Sequence, residues 1–209
     1  MSQAYPNSFV TATEPVQVDK LGPTAADAAK QLAAAGYEVH AGLTAAYAED
    51  IIKMALEPAI REFCPKDCGS RFANLAAAEE WLSKQRGVFL LLKKDEGLKL
   101  AGYGWVGPGA SEHAPGGETT FALRVGRLGQ GQGLAAPFST LMLQGSHALY
   151  GAHNLWLETW ASNGAAVHVY HKIGFTDVYS KPAERQSPEA GSIDDTRLIM
   201  TLPNEALRN

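Results

Sequence analysis

The run FALRVGRLGQGQGLAAPFSTLMLQGSHALY, from Phe121 to Tyr150, decides the fold. A short apolar β-type run ends at Val125, and a loop containing Gly126, Gly129, Gly131 and Gly133 follows. Apolar residues then recur at helical spacing from Leu134 through Phe138, Leu141, Met142, Ala148 and Leu149. A strand that hands over to a helix through glycines builds an anion site. The first N–H groups of a helix have no partner within it, and the macrodipole places about half a positive charge there. Glycine lets the backbone close in on a phosphate, because no Cβ intervenes and positive φ costs nothing.

Three ligand classes compete for this loop. A Walker-type nucleotide loop needs Lys directly after its last glycine, but Gln132 follows Gly131 and Leu134 follows Gly133, so that reading fails. Gly131-Gln132-Gly133-Leu134-Ala135-Ala136 fits the dinucleotide pattern G-x-G-x-x-[GA], with Glu158 as the acid expected ~20 residues on. Against it, residues Gly126 to Gln130 separate Val125 from Gly131, where a dinucleotide loop brings its first glycine almost directly off the strand. The third reading takes Gln130-Gly131-Gln132-Gly133-Leu134-Ala135 as [QR]-x-x-G-x-[GA]. These residues resemble the acyl-CoA pyrophosphate loop of the GNAT N-acetyltransferase superfamily. Downstream, the β-type run Asn154 to Trp160 leads into Ser162-Asn163-Gly164-Ala165-Ala166-Val167-His168-Val169-Tyr170-His171-Lys172-Ile173-Gly174-Phe175. That segment is similar to the superfamily's second signature: a strand, an Asn, a short helix bearing a Tyr, then Gly-Phe. The resemblance spans residues 36 to 202.

The resemblance implies a mixed α/β fold of about seven mostly antiparallel strands flanked by helices, with acetyl-CoA as co-substrate, no metal, and direct acetyl transfer to an amine. It implies that pantetheine lies along Leu123, Arg124 and Val125, and that the pyrophosphate rests on N–H groups of Gln130, Gly131, Gln132, Gly133, Leu134 and Ala135. A backbone N–H near Leu123 would polarise the thioester carbonyl. Tyr170 is carried over as the proton donor to the CoA sulfur, with packing of its helix on the sheet as the alternative. Asn163 is carried over as a CoA contact, and helix capping is compatible with that. Some members use a Glu on the fourth strand as general base. Glu118 lies near that position but is displaced by about one residue, which in a strand reverses the face. Glu158, His113, His168, His171 and a water chain are the other candidates. A catalytically silent acyl-CoA-binding module and an NAD(P)-dependent oxidoreductase built on Gly131 to Ala136 are the rival functions.

Composition bounds the remainder. With 209 residues, 45% hydrophobic and 19% charged, the chain reads as one domain with an extension. A net charge of −4 gives no electrostatic footprint for nucleic acid. The N-terminus lacks a basic start and an apolar stretch, and no run approaches ~18 apolar residues, so the expectation is a cytoplasmic protein with no membrane segment. Monomer and homodimer both stay open. Cys64 and Cys68 have no second ligand pair for zinc and read as ordinary thiols.

In chain order, residues 1–35 form an extension ahead of the acetyltransferase domain at 36–209. Its first 23 residues are polar, proline-interrupted and without period; they could cover a sheet edge, contact a second subunit or hang free. Thr24 is the expected cap of a helix ending at Gly36. A strand at Tyr37–Leu43, a helix capped by Thr44, and a helix capped by Asn74 follow. Val88–Leu92 and Leu98–Val106 then read as a central hairpin. Residues 107–118, GPGASEHAPGGE, are a candidate lid or acceptor rim, and residues 182–194 a polar loop before a last strand at Arg197–Leu202. Glu112, Glu118, Glu184, Glu189, Asp194 and Asp195 would suit a cationic amine at that rim. Tyr103, Trp105 and Trp160 are candidate pocket walls, or core.

Overall fold

The computed structural model describes residues 3–151 and 153–207. Its elements are β1 (Glu14–Pro15), α1 (Pro23–Ala34), β2 (Tyr37–Ala41), α2 (Ala45–Ala55), α3 (Pro58–Phe63) and α4 (Leu75–Leu82). They continue with β3 (Gly87–Lys93), β4 (Lys99–Pro108), β5 (Thr119–Val125) and α5 (Ala135–Tyr150), then β6 (Leu155–Trp160), α6 (Gly164–Lys172), β7 (Thr176–Ser187) and β8 (Gly191–Leu202). The described strands form one eight-stranded sheet in the order β1-β2-β3-β4-β5-β6-β8-β7. Every junction is antiparallel except β5 with β6. This mixed α/β sheet is the architecture that the two signatures imply. A dinucleotide fold needs a mostly parallel sheet about its glycine loop, and here β4 runs antiparallel to β5, which removes the NAD(P) reading.

Local chemistry sets the helix ends. Thr44 Oγ1 accepts from Tyr47 N at 3.3 Å, and Asn74 Oδ1 accepts from Ala77 N at 2.9 Å, so both expected caps are in place. α1 begins two residues earlier than a Thr24 cap would have it. Pro23 takes the first helical position after Gly22, where its missing N–H costs nothing.

The sheet separates two apolar layers. Phe89 and Leu91 join Leu32, Phe138 and Met142 on the α1/α5 face, while Val88, Leu90 and Leu92 join Ile51, Trp81 and Tyr103 on the α2/α4 face. A strand covered on both sides reads as an unbroken apolar run, which is why 88–92 shows no alternation. Gly104 in β4 is required by α5, since a Cβ there would stand 2.5 Å from Met142 Sδ.

One open expectation closes and another changes. The N-terminal segment lies along the sheet edge: Glu14 and Pro15 pair with Ala41 and His40, Val16 N donates to Val39 O (2.9 Å), and Val10 N donates to Leu43 O (2.9 Å). A two-residue strand has no period to detect. The polar stretch 182–194 is mostly strand, because β7 and β8 pair from Thr176/Thr201 to Ser187/Gly191. Most of β7 is exposed, so hydrophobic alternation could not announce it.

Candidate functional site

β5 and β6 are paired only at Thr119/Leu155 and Thr120/Trp156, whereas β6 remains paired with β8 from Leu155 to Trp160. The two strands therefore part after Thr120. The space between them opens into a cavity of about 960 Å³, lined by β5, the glycine loop, β6 and α6, with α3 and the following turn across from them.

Register decides which main-chain groups face this gap. Gly126 N donates to Ala101 O at 2.9 Å, so Gly102 and Val125 are a non-hydrogen-bonded pair of the β4/β5 ladder, as is Gly104 with Leu123 two residues back. The amides of Leu123 and Val125 consequently point away from β4 into the gap. Arg124 Nη1 donates to Leu123 O at 2.7 Å and Gln130 Nε2 donates to Val125 O at 3.0 Å, so both carbonyls are taken and the N–H groups of Leu123 and Val125 are the donors facing the gap.

The loop beyond is tightly coiled. Gly129 N and Gln130 N both donate to Gly126 O (2.9 and 3.0 Å), and Arg127 N donates to Glu57 Oε2 at 2.7 Å. Gly131 and Gly133 each have φ of +72°, and a Cβ at either would meet nothing within 4 Å. α5 begins after Leu134, which supplies no side-chain cap. Among the described residues no acceptor takes the N–H groups of Gly131 through Ala136. Bare amides, a helix start and open space where side chains would stand fit a diphosphate.

Deeper in the cavity a buried carboxylate organises the wall. Asp67 is fully buried and sits in a π-helical turn, Asp67–Arg71. It accepts from Arg124 Nε (2.7 Å), Arg71 Nη1 (2.9 Å) and the Tyr103 hydroxyl (2.9 Å). Burial raises its pKa, but Arg124 and Arg71 outweigh that and hold the carboxyl below the ordinary range. Burial pushes the Tyr103 phenol well up, and the neighbouring Asp67 charge adds to it. The same network aims Arg124 Nη1 at Leu123 O. A second cluster ties β7 to α3: Arg185 bonds Glu62 and Asp195, and Ser187 Oγ donates to Glu62 Oε2 at 2.7 Å.

The expected site residues gather, with two exceptions. Leu123, Arg124, Val125, Gln130, Gly131, Gly133, Leu134, Ala135, Asn163 and Tyr170 all line the cavity. Asn163 also caps α6, its Oδ1 accepting from Ala166 N at 3.3 Å. Tyr170 is 5% exposed, with Phe121 and Phe175 at ring-centroid distances of 6.2 and 6.0 Å. Burial pushes its phenol up to about 12, partly offset by Arg124, so it is protonated at neutral pH. Gln132 does not reach the cavity: its Nε2 donates to Leu128 O at 2.8 Å, so the side chain is tied back beneath the loop. Glu118 is exposed and precedes β5, and its amide donates to Asn154 O at 3.0 Å. It does not line the cavity, where Thr120 is the first β5 residue to do so. Glu118 thus stands outside the cavity as an exposed carboxylate ahead of β5.

Other assignments shift with it. No residue of 109–118 lines the cavity. That loop packs on the later strands instead, with Trp156 Nε1 donating to Gly109 O (2.7 Å) and His113 stacked on Tyr179 at 4.0 Å. Of the six acidic rim residues only Glu184 lines the cavity, and Asp195 is committed to Arg185, Ser162 and Thr196. Trp105 and Trp160 are buried yet contribute surface to the cavity wall, while Tyr103 is wholly core. None of His113, His168 and His171 reaches it, whereas Glu158 on β6 does. Cys64 and Cys68 are free, and burial pushes the Cys64 thiol up. Asp67, Arg71, Arg86 and Glu57 had not been singled out. The i,i+4 spacing of Asp67 and Arg71 was the one visible signal.

Among the described residues no helix is long and apolar enough to cross a membrane, and no group of three or more His, Cys, Asp or Glu is arranged to hold a metal ion. A protein-family model described as "Acetyltransferase (GNAT) domain" matches residues 41–176. No curated protein matches the chain. Among solved structures, the chain is similar to spermidine N-acetyltransferase from Vibrio cholerae in complex with CoA and spermine: TM-score 0.65, 18% identity, covering 84% of this chain and 99% of that one. It is similar to ribosomal-protein-S5-alanine acetyltransferase from Vibrio fischeri, with TM-score 0.63, 14% identity, and 83% and 96% covered. It is also similar to an acetyltransferase of the GNAT family from Streptococcus pneumoniae, with TM-score 0.60, 18% identity, and 79% and 99% covered. With strand, loop and cavity arranged as they are, and the family's domain matched over most of the chain, this protein belongs to the GNAT acetyltransferase family.

Proposed function

We propose that the protein transfers an acetyl group from acetyl-CoA to an amine of a small molecule or peptide, by direct attack in a ternary complex. The observation that carries this reading is the parting of β5 from β6, which leads from the bare amides of Gly131–Ala136 past the Leu123 N–H to Tyr170. Acetyl-CoA supplies an acyl group already activated as a thioester. The loop amides hold its diphosphate, and the Leu123 N–H polarises the carbonyl. Tyr170, protonated and cavity-facing, donates to the departing sulfur. Glu158, the carboxylate on the opposite strand, takes the acceptor's proton directly or through water. Asn163 fixes the start of α6 and with it the position of Tyr170. Alignment of donor and acceptor supplies much of the rate, on the order of 7–11 kcal/mol in well-ordered cases.

Acetyl-CoA at about 100 times its dissociation constant should stabilise the folded protein by ~2.7 kcal/mol. A thermal-shift series with acetyl-CoA, CoA and NADH checks this, and a response to NADH alone would defeat the reading. Tyr170→Phe should lower kcat about tenfold, at or below the usual range for a positioned acid because a thiolate leaves readily, with little change in acetyl-CoA affinity. Unchanged turnover would take Tyr170 out of the mechanism.

A further inference from the structure

The cavity is strongly basic in a chain of net charge −4. Seven Lys and Arg side chains line it, against two carboxylates, Glu158 and Glu184. Part of this charge is answered internally: Arg124 by Asp67, and Arg185 by Glu62 and Asp195. Arg71 also leans on Asp67, at 2.9 Å, so one carboxylate serves two guanidinium groups and a positive charge is left over.

Arg86, just before β3, is less well matched. Its Nη1 donates to Pro108 O at 3.1 Å, but its Nε is buried with no partner, and no described carboxylate pairs with it. Burial lowers its pKa, and the nearby Arg71 charge lowers it further. Arg71 and Arg86 line the cavity together with Trp81 and Trp105; the Arg71 guanidinium stands 5.3 Å over the Trp105 ring, and Arg86 packs against Gly107, two residues along β4 from Trp105. Two like charges beside one aromatic hollow leave a place for an anion between them.

That anion is not the donor's diphosphate. Trp105 pairs with Ala122, and Gly107, against which Arg86 packs, pairs with Thr120. The glycine loop begins after Val125, three residues beyond Ala122 and five beyond Thr120, so the basic residues and the loop are separated by about 10–17 Å of β5 at 3.4 Å per residue.

We infer that the acceptor amine carries an oxyanion, a carboxylate or a phosphate, held between Arg71 and Arg86 against Trp105. This rests on the acetyltransferase reading above. The oxyanion anchors the acceptor and takes no part in bond making: the amine nitrogen bonds the acetyl carbon as the C–S bond breaks, one proton leaving the nitrogen and one joining the sulfur. A polyamine would set its charges against like charges here, so the acceptor class differs from that named for the Vibrio cholerae spermidine enzyme.

The test is calorimetry on the CoA-loaded full-length protein with four amines: 4-aminobutyrate, O-phosphoethanolamine, ethanolamine and spermidine. At least one of the two anion-bearing amines should bind tenfold or more tighter than ethanolamine, and the stronger of them identifies the oxyanion. Arg86→Gln should remove that advantage, Arg86→Lys should retain most of it, and CoA affinity should be equal in all three proteins. Spermidine binding as tightly as either anionic amine, or an advantage that survives Arg86→Gln, overturns the inference. Should Arg86→Gln not fold, competition of inorganic phosphate or acetate with the preferred amine in the unaltered protein decides, and absence of competition overturns it. Running the amines on CoA-free protein keeps the two readings apart. Loss of CoA binding alone defeats the transferase assignment, and loss of Arg86-dependent selectivity alone defeats the acceptor assignment.

Discussion

Gly133→Val is expected to weaken acetyl-CoA binding by about 10²- to 10⁴-fold, the loss of two or so charge-assisted hydrogen bonds at roughly 1.5–3 kcal/mol each. The residue has φ of +72°, and a Cβ there points into open space rather than into the protein. Added carbons therefore displace the ligand and not the fold. The β-branched side chain also strains a left-handed backbone by about 1–2 kcal/mol, a cost that falls on loop geometry first. Calorimetry with acetyl-CoA measures the first effect and the unliganded melting temperature the second. Affinity retained within threefold would move the diphosphate away from this loop.

Asp67→Asn should cost about 3–5 kcal/mol of stability, because two guanidinium groups lose the carboxylate that offsets their burial. For a chain of this size that is a melting-temperature drop of roughly 6–20 °C. The pH dependence carries a sign. Asp67 has a depressed pKa in the folded state, so its stabilisation is complete above the unfolded value, 3.8, and is lost as pH falls through the lower folded value. Urea midpoints from pH 7 down to pH 2.5 should show a steep acid limb below about pH 4 in the parent that is shallower in Asp67→Asn, the two curves converging at low pH. Parallel curves would mean that Asp67 is not ionised in the folded protein. Because Arg124 spans Asp67 and Leu123 O, the variant should also turn over more slowly while keeping most of its acetyl-CoA affinity.

What the sequence disclosed follows from which forces are local. The glycine loop and the caps at Thr44 and Asn74 are each set by neighbours within a few residues, so spacing revealed them, whereas the Tyr170 helix is read from the resemblance together with its local end signals at Asn163 and Gly174. Glu118 falls outside the cavity because its place depends on a one-residue register in a strand whose start is set by the partner β6, with Asn154 O taking the Glu118 amide. Asp67 and Arg124 lie 57 positions apart, and Arg86 meets the edge of β4 through Pro108, so the charged floor of the cavity exists only after the sheet forms. The acidic tally near the rim pointed to a cationic acceptor because it counted residues by sequence, while folding turned most of them outward and brought arginines in.

The docked N-terminal strand bears on how copies of this chain coexist at high concentration. Its two residues end in Pro15, which has no amide hydrogen to give, so one margin of the sheet terminates in a group that cannot recruit another chain. The far margin, β7, carries Lys181, Pro182 and Glu184, which discourage growth from that side as well. Stripping away the first strand would turn a stopper into a template: the bared row on β2 would be free to nucleate fibre-like stacking.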